Sequence, residues 1–157
     1  MKNKFYGFED AKVMALNPLY KGINTPGDLY DALSHIWCEY TCAPRMRANW
    51  KNEHMTYGQC SITAFLAQDI FGGEVYGVDL NDGNFHCYNV VNGFIFDLTS
   101  EQFGDKVLVY DETNPQSRDK HFADEENQGI SICVIYFRFD VSSRILLFWS
   151  IYISVGR

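Results

Sequence analysis

A chain of 157 residues is long enough for a single domain to bury a core without disulfides or metals. Its net charge of −7 opposes nucleic acid or an anionic membrane as the main partner, since either would repel such a surface. That leaves a small molecule, a peptide or a protein, and the 16% aromatic content favours a strand-containing fold over an all-helical one.

The chain opens with Lys2 and Lys4 but no apolar run follows them, so no secretory signal is read there. The longest apolar runs, 132–137 and 145–149, are far too short to span a bilayer. The expectation is a cytoplasmic protein whose five cysteines are free thiols, with no cofactor.

The first clear element begins at Thr25-Pro26-Gly27-Asp28. Threonine caps a helix, proline suits its first position, and Asp28 suits the positive end of its dipole. Leu29, Leu33 and Ile36 recur at i, i+4, i+7, predicting a buried face on a helix running to about residue 40, before Pro44. Residues 42–57 read as irregular. Arg45, Arg47 and Trp50 there form a small basic-aromatic patch, read as a solvated loop. A second helix starts near Cys60, with Ile62, Phe65, Leu66 and Ile70 on one face and Gly72-Gly73 as its stop.

An antiparallel region follows. Strands are predicted over 74–80 and 84–91, and Asn92-Gly93 is a strong two-residue hairpin signal with 94–98 as the returning strand. Residues 107–110 offer a further short strand, and 111–127, containing Asn114-Pro115, read as loop with some helix. The core of the single domain thus spans about 25–125. The apolar tail, 129–157, reads as two more strands, 130–141 and 145–155.

Three residues carry a chemical pattern. Gly58-Gln59-Cys60 places a thiol at the head of a helix, where free N–H groups and the dipole favour a thiolate and can hold an oxyanion. A two-residue turn at Asn92-Gly93 sets Val91 against Phe94 and Tyr88 against Asp97. His86 and Asp97 then become diagonal neighbours on one sheet face, about 7–8 Å apart at their backbones. A slip of one residue would send them to opposite faces. Asp97 can orient His86, and His86 can take the proton of Cys60. Cys87 points to the other face and reads as core, as does Cys133.

Each residue also has a plain structural reading: buried cysteine, structural histidine, turn-capping aspartate. A competing constellation, His35, Cys38 and Cys42 at i, i+3, i+7, has zinc-ligand chemistry, but no paired cysteine knuckle follows and no metal is assigned.

The segments Trp37 to Thr41, Trp50, GQCSITAFLAQDIFGGE (58–74), His86 to Asn89 and FDLTSEQF (96–103) resemble the YunG-like family of small bacterial proteins. The resemblance covers about residues 30–120. The Cys, His, Asp order it carries looks like a compact papain-like or transglutaminase-like core. It implies an α+β fold with N-terminal helices and a Cys-bearing helix packed on an antiparallel sheet of four to six strands.

The function expected is thiol-dependent acyl transfer on a peptide, protein or small-molecule amide, with Cys60, His86 and Asp97 catalytic. Gln59, Trp50 and Tyr57 are candidates for oxyanion or substrate contacts. The alternative is a non-catalytic binding or structural protein that keeps the trio as a buried brace.

Overall fold

The computed structural model describes residues 5–121 except residue 82, together with the backbone of two strands in the tail. Its elements, in chain order, are helix α1 (Pro26–Ser34), helix α2 (Cys60–Phe71) and strands β1 (Glu74–Asp79), β2 (Phe85–Val91) and β3 (Phe94–Phe96). Strands β4 (Val134–Arg138) and β5 (Leu147–Ile151) follow. The fold is α+β.

Helix α1 starts where its cap predicts. Thr25 Oγ1 accepts the Asp28 N–H at 3.2 Å, and the Asp28 carboxylate accepts the Thr25 N–H at 2.9 Å, a reciprocal capping box. It ends at Ser34, not near residue 40. The reason is local: Thr41 Oγ1 accepts the Cys38 N–H and donates to the Cys38 carbonyl, both at 2.9 Å, holding a turn that competes with the helix. Ile36 and Trp37 still bury, so the apolar period continues through a turn. His35, Cys38 and Cys42 therefore share no helical face. The irregular segment expected at 42–57 contains two 3-10 helices, Pro44–Asn49 and Asn52–His54.

Strands β1, β2 and β3 form an antiparallel sheet in that order. Asn92 and Gly93 both have positive φ, 52° and 80°, as a tight hairpin with matching twist requires. Val91 pairs with Phe94, the register derived from the sequence. The sheet of four to six strands expected against the Cys60 helix has three. Strand β3 stops at Phe96 because the Asp97 N–H turns away to the Tyr6 carbonyl, 3.1 Å, and a 3-10 helix (Ser100–Phe103) follows. Residues 107–110 form no strand; Tyr110 instead stacks on Tyr6, ring centroids 4.2 Å apart. The outer edge of β1 is covered by the next loop, with Gly77 N–H bonded to Asn114 O and Gln116 N–H to Val75 O, both 2.8 Å. Strands β4 and β5 pair with each other in a second sheet; the rest of 130–141 and 145–155 lies outside the described residues.

Helix α2 packs on β2. Asn89 Nδ2 donates to the Ala64 carbonyl at 2.8 Å, and Ala64, Phe65, Val75 and Cys87 form a buried cluster with Cys60 at its edge. The larger core gathers Leu29, Leu33, Trp37, Ile70, Phe71, Phe96 and Leu98. It also takes Phe5, Val13 and Ile23 from an N-terminal segment that sequence periodicity does not reveal. That segment closes the end of α2: Leu16 and Asn17 N–H groups bond to the Ile70 carbonyl at 2.8 and 3.1 Å. Among the described residues no helix is long and apolar enough to cross a membrane.

Candidate active site

Gly58 sets the entry into α2. Its φ is +69°, and a Cβ built there would lie 2.5 Å from Cys42 Sγ and 3.1 Å from Met46 Cβ, so glycine is needed for both conformation and space. The chain then passes Gln59 and places Cys60 as the first residue of the helix. The first bond into the helix runs from Thr63 N–H to Gln59 O, 3.1 Å, leaving the N–H groups of Cys60, Ser61 and Ile62 without helical partners.

His86 and Asp97 come from β2 and from the residue just past β3. His86 Nε2 is 2.6 Å from Asp97 Oδ2, with both side chains 1% exposed. Asp97 is fully satisfied: Oδ1 accepts the Thr99 N–H at 3.0 Å and hydroxyl at 3.1 Å, and Oδ2 also accepts the Tyr110 hydroxyl at 2.9 Å. With Nε2 engaged by a carboxylate, that nitrogen carries the proton, and Nδ1 is left for the pocket side. There it stands 3.5 Å from Gln102 Nε2, which donates to Thr99 O at 2.9 Å, while Phe103 packs edge-on to the imidazole, centroids 4.6 Å apart.

Cys60 is partly exposed, at a pocket of about 250 Å³ lined also by His86, Arg45, Met46, Leu80, Asn84, Phe85, Gln102 and Phe103. Its side chain packs against the cluster that contains Cys87, and His86 lines the same pocket. The Cys87 hydrogen bond holds the Cys60 thiol well below its ordinary value; burial opposes this, and the hydrogen bond and charge of His86 reinforce it. For His86, burial alone would push the imidazole down. The charge and hydrogen bond of Asp97 override it and, with Cys60, raise His86 to about 10. The electrostatics therefore draw the Cys60 proton toward His86 and favour the ion pair over two neutral groups. Cys42, by contrast, is pushed up to about 11 by burial, and it stays a thiol.

The other residues singled out in the sequence sit elsewhere. Gln59 is fully buried, its Nε2 donating to the Cys38 carbonyl at 3.0 Å and its Oε1 without a hydrogen-bond partner. Trp50 Nε1 donates to the Met55 carbonyl at 3.2 Å, and Tyr57 is half-buried; neither lines the pocket. Sequence reasoning gave no role to Gln102 or Phe103, although both lie in the FDLTSEQF segment. It also placed Cys87 in the core alone, and gave no role to Thr99 or Tyr110. Among the described residues no group of three His, Cys, Asp or Glu side chains is placed to hold a metal ion.

A helix-borne cysteine, a strand-borne histidine and an aspartate past the next strand lie within the span that defines one protein family. The chain belongs to the YunG family: the profile described as "YunG protein" matches residues 25–132. It is similar to "Uncharacterized protein YunG" of Bacillus subtilis (strain 168), at 36% identity over 81 residues, 52% of this chain and 68% of that one. No solved structure matches it.

Proposed function

We propose that the protein is a thiol-dependent acyl-transfer enzyme with Cys60 as nucleophile, His86 as acid and base, and Asp97 as the group that orients His86. The observation carrying this reading is that Cys60 opens onto a pocket while its partners His86 and Asp97 are sealed behind it. A brace would need no access for the thiol.

The Cys60 thiolate attacks the carbonyl carbon of an amide or ester. A C–S bond forms, and the carbonyl oxygen becomes an oxyanion near the free N–H groups of α2. The oxyanion collapses, the C–N or C–O bond breaks, and the His86 imidazolium gives its proton to the departing amine or alcohol. Neutral His86 then takes a proton from water or from an acceptor amine, which attacks the acyl carbon. The C–S bond breaks, releasing an acid or a new amide and restoring the thiolate–imidazolium pair. The order of the three residues along the chain, and their placement on helix, strand and following strand, support a papain-like or transglutaminase-like core.

The test is the pH dependence of Cys60 alkylation by iodoacetamide in wild type, His86→Ala and Asp97→Ala. Reactivity persisting well below the ordinary thiol range of about 8.5, and lost without His86, is the expected result. An unreactive Cys60, or one indifferent to His86→Ala, overturns it.

One observation favours the non-catalytic reading: Asp97 also ties the chain together, its N–H bonded to Tyr6 O and its carboxylate to three side chains. On that reading His86→Ala destabilises the fold while leaving Cys60 reactivity unchanged.

A further inference from the structure

The pocket at Cys60 is uneven in charge. No carboxylate lines it among the described residues, although the chain as a whole carries −7. Its lining includes one arginine, Arg45, from the 3-10 helix Pro44–Asn49. Arg47, two residues on, is tied down, with Nε donating to Cys42 O at 3.1 Å and a terminal nitrogen to Tyr40 O at 3.0 Å. Arg45 is exposed, and among the described residues its side chain has no hydrogen-bond or ion-pair partner. Phe103, another lining residue, has Lys106 Nζ 6.0 Å from its ring centroid. The rest of the wall is largely apolar: Met46, Leu80, Phe85 and Phe103.

A guanidinium with no partner among the described residues presents a planar fork that matches a carboxylate and pairs with it bidentately. At about 250 Å³ the pocket is smaller than the ~300–1,000 Å³ of drug-sized sites, so it suits a short acyl unit. We infer that the site takes acyl substrates bearing a carboxylate, held by Arg45 with an apolar portion against Met46, Leu80, Phe85 and Phe103. This rests on Cys60 being the nucleophile. The carboxylate is either a chain terminus or an acidic side chain, and both present the same group to the guanidinium.

Iodoacetate and iodoacetamide separate the two claims. Both alkylate a thiolate by forming a C–S bond and expelling iodide, and they differ in charge. Their rates at Cys60, followed by peptide mass mapping, are compared in wild type, Arg45→Gln and Arg45→Lys. Arg45→Gln is expected to slow iodoacetate by roughly 3- to 30-fold, the range for one charge several ångströms away in water or at a protein surface. The iodoacetamide rate should hold, Arg45→Lys should retain part of the preference, and added salt should narrow it. An Arg45→Gln protein with an unchanged ratio overturns the inference and leaves the nucleophile standing. Failure of both reagents at Cys60 in wild type overturns the nucleophile, and the inference with it.

Protection experiments then identify the source. N-acetyl-alanyl-alanine protecting Cys60 from iodoacetamide, with N-acetyl-glutamyl-alaninamide inert, assigns a terminal carboxylate; the reverse assigns an acidic side chain. Protection equal to that by neutral N-acetyl-alanyl-alaninamide counts against a carboxylate site.

Discussion

His86 Nε2 and Asp97 Oδ2 stand 2.6 Å apart with both side chains shut off from solvent, so each is the other's substitute for water. The imidazolium could not stay buried there without the carboxylate, because an unpaired buried ion costs several kcal/mol. The pair therefore fixes the ring's orientation and its charge together.

Asp97→Asn tests that coupling. An amide at this position offers a donor, or only a weaker acceptor, to the His86 N–H and the Tyr110 hydroxyl. Loss of one partner from a buried pair is expected to cost about 3–5 kcal/mol, read as a lower urea midpoint, and to slow Cys60 alkylation at neutral pH.

The pH dependence of stability should carry the signature of His86. Its value rises from 6.5 to about 10 on folding, so the folded state holds the proton more tightly. Its contribution is complete below about pH 6.5 and is lost as pH climbs through about 10. Cys60 runs the other way: its lowered value contributes above the unfolded thiol's value and is lost as pH falls through the folded one. Over that window the two slopes oppose each other in wild type, so Cys60→Ser, which removes the thiol's share, should lose stability to urea more steeply than wild type as pH rises above about 6.5.

Cys87 is expected to act on the Cys60 thiol through its hydrogen bond. A hydrogen bond to a charged group contributes about 1.5–3 kcal/mol, so Cys87→Ala should move Cys60 alkylation to higher pH and slow it near neutrality by roughly tenfold. Cys87→Ser keeps a donor and should keep most of the reactivity. Equal profiles for wild type and Cys87→Ala would remove this role.

Gly58→Ala should be costly for its size. The new methyl meets Cys42 Sγ at 2.5 Å on a backbone with φ of +69°, and strain of this kind costs about 1–3 kcal/mol. Differential scanning calorimetry should report the lower midpoint, and Cys60, two residues on, should lose reactivity as the start of α2 shifts.

The site's placement was legible where it depended on local rules. Asn92-Gly93 dictated a two-residue turn, the turn dictated the register, and the register put His86 beside Asp97. Gly58 and the apolar spacing after Cys60 likewise marked the start of α2. What escaped is what depends on distant partners. The end of α1 was overextended because periodicity does not register a Thr41 side chain claiming Cys38. Cys87 was assigned to the core by alternation and is indeed buried, yet only the packing of α2 on β2 brings it to Cys60. Arg45 looked like part of a solvated loop, and only the fold sets it at the pocket.

The span matched by the family begins at residue 25, but the strap before it is sewn to Asp97. The Tyr6 carbonyl receives the Asp97 N–H at 3.1 Å, and its own N–H goes to the Ser100 hydroxyl at 2.8 Å, 94 positions along the chain. Its ring stacks on Tyr110, whose hydroxyl holds the same aspartate. A chain trimmed to start at Thr25 would keep Cys60, His86 and Asp97 in sequence, yet release the Asp97 backbone and loosen the aromatic lid over it. The stretch that identifies the relatives is thus shorter than the stretch that holds Asp97 in place.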